Sequence, residues 1–162
     1  MRIGRVLMAI GLLLIPAVAA ADGHRAGAFF GYSRASGSSL NGVIFAADYS
    51  PDRFKAASIM GDVSINSGPH RGGDVTRVTW SLGANAGHSL FTKWLVGNGH
   101  VGVGGVSGDG SSDVVGILGV SVDLRVHPNF SIRTQADAAI RGGGGDDYSR
   151  YSIGGVWRIN KY

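Results

Sequence analysis

The feature that most limits the fold of this chain is a side-chain period of two, repeated eight times. Residues 121–140 read SVDLRVHPNFSIRTQADAAI. In the first half Leu124 and Val126 share one face, and Asp123 and Arg125 the other. After His127-Pro128-Asn129, Ile132, Thr134, Ala136 and Ala138 share one face, and Ser131, Arg133, Gln135 and Asp137 the other. Successive side chains of a strand point to opposite sides, so this stretch is a β-hairpin with an apolar and a polar surface. Similar alternation runs over about 25–33, 41–49, 55–66, 75–87, 92–106, 114–126, 130–141 and 148–160. Val43, Phe45, Ala47 and Tyr49 line up in the second stretch, Val78, Trp80 and Leu82 in the fourth, and Tyr151, Ile153 and Trp157 in the last. The fifth is rich in glycine and less regular, with Val101 and Val103 carrying its apolar side. Glycine is abundant at 28 residues, proline is scarce at 4, and glutamate is absent, a composition that favours strands and turns over helices. With no cysteine, disulfides and thiolate metal sites are excluded.

The first residues, MRIGRVLMAIGLLLIPAVAAADG, follow another rule. Arg2 and Arg5 precede an apolar run, and Ala17-Val18-Ala19 supplies small residues for cleavage. This is the pattern of a secretory signal peptide, here residues 1–21, leaving one domain over 22–162. The apolar run is shorter than the roughly 20 residues a spanning helix needs. The chain therefore reads as exported, and any residence in a membrane must be through strands. Losing Arg2 and Arg5 takes the formal charge from +4 to +2. That balance does not make the basic stripe nucleic acid requires, so no nucleic-acid partner is expected.

The remaining question is which face points in. The polar faces carry Asp48, Asp62, Ser64, Arg77, Thr79, Ser81, Asn85, Asn98, His100, Ser121, Asp123, Arg125, Arg133, Gln135, Asp137 and Arg158. Both signs of charge are interspersed with small residues, while long lysine and glutamate side chains are rare or missing. Such a face suits a crowded interior of paired charges, and a barrel of about eight strands has a lumen that side chains fill. The expected architecture is all-β: an eight-stranded antiparallel up-and-down transmembrane β-barrel, apolar side chains outward, with a structural polar network in the lumen. Its expected members are Asp62, Arg77, Asp123, Arg125, Arg133, Asp137 and Arg158.

Connections and aromatics agree with that frame. Ser50-Pro51-Asp52-Arg53, the link around 88–92 and His127-Pro128-Asn129 read as short turns. SRASGSSLN, NSGPHRGGD, VSGDGSSD and RGGGGDDYS read as longer polar loops at the other end. Tyr32, Tyr49, Phe54, Phe91, Trp94, Phe130, Tyr148, Tyr151, Trp157 and Tyr162 lie near strand boundaries, as interfacial girdles would.

In this order, FFGYSRASGSSLNGVIFAADYS (29–50), MGDVSINSG (60–68), LGVSVDLRVHPNFSIRTQADAAI (118–140) and YSIGGVWRI (151–159) resemble the bacterial outer-membrane β-barrel domain family, the eight-stranded barrels that include the OmpA and OmpX types. The resemblance covers essentially all of the chain after residue 21. It implies residence in the outer membrane of a Gram-negative-type bacterium, contact with outer-membrane lipids and lipopolysaccharide, and biogenesis by the barrel-assembly machinery. Family members typically end in phenylalanine, which that machinery reads; this chain ends Asn160-Lys161-Tyr162.

Motifs for chemistry are weak. His24, His70, His88, His100 and His127 show no metal-ligand spacing, and His100 is a candidate for the lumen network. Some barrels of this type are lipid A deacylases with a Ser-His pair two residues apart on one strand. Here His88 and Ser89 are adjacent, which sends them to opposite faces. The glycines of GNGHVGVGG (97–105) and GGGG (142–145) lack the Gly-Lys-Ser/Thr of a phosphate loop and read instead as points of curvature or as a loop. Asp109, Asp113, Asp146 and Asp147 match no calcium-loop spacing, although they could bridge lipopolysaccharide through divalent ions. No cofactor is expected. The leading reading is a non-enzymatic barrel with a structural or surface-interaction role. A secreted soluble barrel or sandwich that binds a ligand is the alternative, followed by a lipid-modifying enzyme or a narrow pore.

Overall fold

The computed structural model describes residues 25–35, 40–51, 57–70, 73–108, 111–142 and 148–159. The expected signal segment, Phe54 and Tyr162 lie outside them. Eight strands follow in chain order: β1 (Arg25–Ala35), β2 (Leu40–Ser50), β3 (Ala57–His70), β4 (Gly73–Ser89), β5 (Leu95–Gly108), β6 (Ser111–His127), β7 (Phe130–Arg141) and β8 (Tyr148–Ile159). Each pairs antiparallel with its sequence neighbour, and β8 pairs with β1, which closes the barrel. Closure removes both sheet edges, so no strand is left with an unpaired side. The end that carries Arg25 and Ile159 is called the near end below, and the end of the β1–β2 connection the far end.

The alternation read from the sequence sorts side chains onto the two walls. Phe30, Tyr32, Val43, Ile59, Ile65, Trp80, Leu82, Val101, Val103, Ile132, Ile140, Tyr151, Ile153 and Trp157 are exposed on the outer wall. On β6 the outward residues run Val114, Leu118, Val120, Val122, Leu124 and Val126, every one exposed. At about 3.3 Å per residue and a tilt near 45°, that stripe is roughly 28 Å tall.

The inner wall is not uniformly polar, which corrects the simplest form of the expectation. Ala35, Leu40, Val106, Val115, Ile117, Ala139 and Tyr148 form an enclosed apolar cluster toward the far end, with Val75 packed on it. Phe29, Ile44, Ala46 and Val156 form a second. These residues sit on the inward phase of their strands, flanked mostly by other apolar residues and glycines, so the polar-inward pattern does not single them out.

Two features fix the barrel's shape. Gly31 faces Gly154 across the β1–β8 seam, and Gly83 faces Gly102 across β4–β5. A Cβ on any of these four would run into the backbone of the facing strand. The two seams lie on opposite sides of the barrel, so glycine permits a tight bend at two opposed corners. At the turn before β5, the Leu90 amide donates to the Leu95 carbonyl at 2.7 Å and Phe91 takes a φ of 42°. This turn starts β5 at Leu95 rather than near Thr92.

The expected contrast between short turns and long loops is not found. Pairing of β3 with β4 continues to His70↔Gly73, and of β5 with β6 to Gly108↔Ser111. Most of NSGPHRGGD and VSGDGSSD is therefore strand. Ser67 and Thr76 share a cross-strand hydroxyl bond of 2.9 Å, and Ser107 and Ser112 one of 3.0 Å, so their polar side chains alternate outward on a ladder that composition disguises as loop.

Candidate functional site

The inward polar residues gather into two clusters along the lumen. The first, toward the near end, is built on the β6–β7 hairpin. Asp123 and Arg133 are direct cross-strand partners. Arg133 grips the carboxylate with both arms of its fork, Nε to Oδ1 at 2.6 Å and Nη2 to Oδ2 at 3.0 Å. Arg158 from β8 also donates to Asp123 Oδ2, and its Nη1 donates to Ser131 Oγ at 3.0 Å. The Arg133 guanidinium lies over the Phe29 ring of β1, 5.7 Å from its centroid, so an apolar surface two strands away completes its surroundings.

The second cluster is centred on Arg150, whose side chain is 2% exposed. Asp137 is its direct cross-strand partner on β7. Arg150 Nε donates to Asp137 Oδ2 at 2.8 Å, while Nη1 crosses the lumen to Asp62 Oδ1 at 2.6 Å and Ser64 Oγ at 3.1 Å. Asp62 also accepts the Ser81 hydroxyl. Asp137 Oδ1 lies 2.6 Å from His100 Nε2, and the Gln135 amide donates to both carboxylate oxygens at 3.1 and 3.0 Å. Room for this comes from Gly119, which sits between His100 and Asp137 in the ladders. A Cβ there would overlap both the imidazole and the carboxylate.

Of the residues anticipated from sequence, Asp62, Asp123, Arg133, Asp137 and Arg158 occupy these two clusters. Arg77 does not join an ion pair there. Its guanidinium stacks over the Tyr148 ring at 5.3 Å, and the Tyr148 hydroxyl pairs with Thr79 Oγ1 at 2.8 Å. Tyr148 is thus an inward residue of the far-end plug rather than part of a girdle. Arg125 is a correction. The β6–β7 register shifts between Arg125 and His127, and Arg125 emerges exposed at the near end, Nη1 3.5 Å from the Lys93 carbonyl. Arg150, the hub of the second cluster, stands near the start of its strand and is not among the expected members of the network. Its phase, two residues from Ser152, pointed inward all the same.

Chemically, the arrangement surrounds Asp62, Asp123 and Asp137 with fixed donors. His88 and Ser89 are both exposed, but successive positions of β4 send them to opposite walls. Among the described residues no group of three or more histidines and carboxylates is arranged to hold a metal. Above Asp137 and Arg150, two residues farther along each strand, Ala139 and Tyr148 begin the apolar plug. Leu40 is fully enclosed within it and Val115 is 1% exposed.

No protein-family model and no curated protein sequence matches the chain. Solved structures do. The attachment invasion locus protein Ail of Yersinia pestis superposes with a TM-score of 0.60 at 15% identity, covering 83% of this chain and 98% of that one. Neisserial surface protein A gives 0.61 at 15% identity, covering 86% and 98%. The outer membrane protein OprG of Pseudomonas aeruginosa gives 0.62 at 8% identity, covering 85% and 97%. At such identities the likeness is one of fold: the chain has the closed eight-stranded architecture of small outer-membrane barrels.

Proposed function

We propose that this chain is a small transmembrane barrel of a bacterial outer membrane, non-enzymatic, with a sealed lumen and a structural or surface-interaction role at its rims. One observation carries the reading: the polarity of the barrel is inverted. The outer wall is a continuous band of exposed aliphatic and aromatic residues, and ionised side chains are enclosed. A soluble ligand binder would turn the aliphatic wall inward and leave a cavity there. In lipid the same outer wall is satisfied, because a closed barrel leaves no backbone group unpaired. The fold shared with outer-membrane proteins supports this reading, as does the study of Ail itself in a phospholipid bilayer nanodisc.

The lumen argues against the pore alternative. Two ion clusters and an apolar plug fill it, and side chains at its centre are almost wholly enclosed. Contact with lipopolysaccharide and delivery by the barrel-assembly machinery belong to the same proposal. Fractionation of cells expressing the full chain tests it. The protein should stay with the outer-membrane fraction through carbonate washing, require detergent for extraction and migrate faster on a gel before boiling than after. Recovery in the soluble fraction would overturn the reading. Stepwise currents across a planar bilayer would overturn the sealed lumen.

A further inference from the structure

One cation on the far half of the barrel points the wrong way. Of the described cationic side chains there, Arg150 is enclosed, Arg77 lies on Tyr148, and Arg141 Nη1 sits 3.3 Å from Asp113. Arg34 alternates with Ser33 and Ala35, which are buried, and projects outward, exposed, with no partner among the described residues. Its direct cross-strand neighbours are Asn41 on β2 and Tyr151 on β8, and Tyr32 stands two residues below it on the same wall. The Tyr32 hydroxyl donates to Asn41 Oδ1. Tyr32 and Tyr151 are each about half exposed.

Position gives this patch its meaning. Toward the near end the same wall continues as Phe30, Val43, Phe45 and Ile153. Toward the far end it turns polar at Asn41 and Ser67, which are themselves paired. Arg34 thus stands at the border between the apolar band and the polar rim. A guanidinium beside hydrocarbon favours a counter-charge, and the described residues supply none. Its planar fork matches a phosphate in geometry. Flanking tyrosines offer ring faces on which a sugar can lie, with hydroxyl or amide groups beside them.

We infer that Arg34, Tyr32, Asn41 and Tyr151 form a binding site for the phosphorylated sugar headgroup of a membrane glycolipid. The phosphate sits on Arg34 and the sugar against the two tyrosines. This rests on the membrane reading above and gives its lipid contact a place and a chemistry.

The test uses the full barrel in phosphatidylcholine nanodiscs doped with bisphosphorylated lipid A, with its dephosphorylated form, or with phosphatidylglycerol. Retained lipid is counted by native mass spectrometry. Wild type should hold bisphosphorylated lipid A at least about tenfold better than either of the others, the ratio expected from one charge-assisted contact. Arg34→Gln should abolish that preference and Arg34→Lys should restore part of it. Arg25→Gln, at the opposite end, should leave it intact. Equal retention by Arg34→Gln, or equal retention of the dephosphorylated lipid by wild type, overturns the site. Equal retention of phosphatidylglycerol overturns the sugar component and with it the proposal. Failure of the wild-type barrel to enter nanodiscs would instead sink the membrane reading itself.

Discussion

Replacing Arg150 with methionine should be among the most damaging single substitutions in this barrel. The guanidinium bridges two carboxylates on opposite sides of the lumen, Asp62 at 2.6 Å and Asp137 at 2.8 Å, and also donates to Ser64 at 3.1 Å. Methionine fills much of the same volume but cancels no charge. Asp137 would keep His100 and Gln135, whereas Asp62 would keep, among the described residues, only the Ser81 hydroxyl. Breaking a buried pair by removing one partner costs about 3–5 kcal/mol, most of it from the charge left behind. With a urea dependence of roughly 2 kcal/mol per molar, the unfolding midpoint should fall by about 2 M. The assay is equilibrium unfolding of the protein in lipid vesicles, followed by tryptophan emission. Trp80, Trp94 and Trp157 are all exposed on the outside of the barrel and report on loss of the apolar surroundings. Adding Asp62→Asn to Arg150→Met removes the orphaned charge and should recover about 1–2 kcal/mol. A midpoint shift below about 0.5 M for Arg150→Met, or no recovery in the double variant, would refute the claim that these charges are enclosed and mutually dependent.

Other substitutions probe the remaining walls in the same assay. Val120→Arg, mid-height on the outward stripe of β6, should cost about 2–4 kcal/mol, while Ser112→Arg at the far rim should cost under about 1 kcal/mol; similar losses at the two positions would contradict the apolar band. Leu40→Ala in the fully enclosed far-end plug should cost about 2–5 kcal/mol, and a loss below about 1 would mean that the plug is loose. Gly104→Ala places a Cβ against the Trp80 carbonyl and should slow or prevent barrel closure, read as loss of the fast-migrating form on unboiled gels. Gly99→Ala, with open space beside it, should leave that form unchanged.

Much of this architecture is legible in the sequence because a two-residue period survives in nearly every strand. In Ser121–Ile140 the phase alone puts Asp123 opposite Arg133 once the turn is fixed at His127-Pro128-Asn129. What the sequence conceals depends on partners brought by register between distant strands. Asp62 meets Arg150 across 88 residues of chain, and nothing local to either residue announces it. The inward aliphatics were hidden for the opposite reason. Leu40, Ile44 and Val115 are ordinary strand residues, and only closure of the barrel reveals that they face a confined space. Loops were misjudged where composition and periodicity disagreed. Ser67, Thr76, Ser107 and Ser112 look like loop residues, but period-two alternation extends through them and the ladders follow the period.

The mixed interior has a consequence for where activity can reside. An interior of ion pairs alone admits water between its charges, because each unfilled hydrogen-bonding site attracts a molecule. Here the far end is stopped by aliphatic side chains from β1, β2, β5, β6 and β7, with Tyr148 anchoring them to Thr79 through its hydroxyl. The clusters beneath fix the relative positions of β3, β6, β7 and β8 by bonds that cross the lumen or link neighbouring strands. A barrel stopped in this way has no open passage along its described interior, which is the basis of the proposed sealed lumen. What it can present to other molecules is its wall and its rims. On the wall, the far half leaves one cation without a partner among the described residues, and that residue, Arg34, lies where the apolar band gives way to hydroxyls and amides. The demands of an enclosed interior and those of the proposed border site are therefore separable in this chain, since the first fall on the inward phase of each strand and the second on the outward phase at its far end.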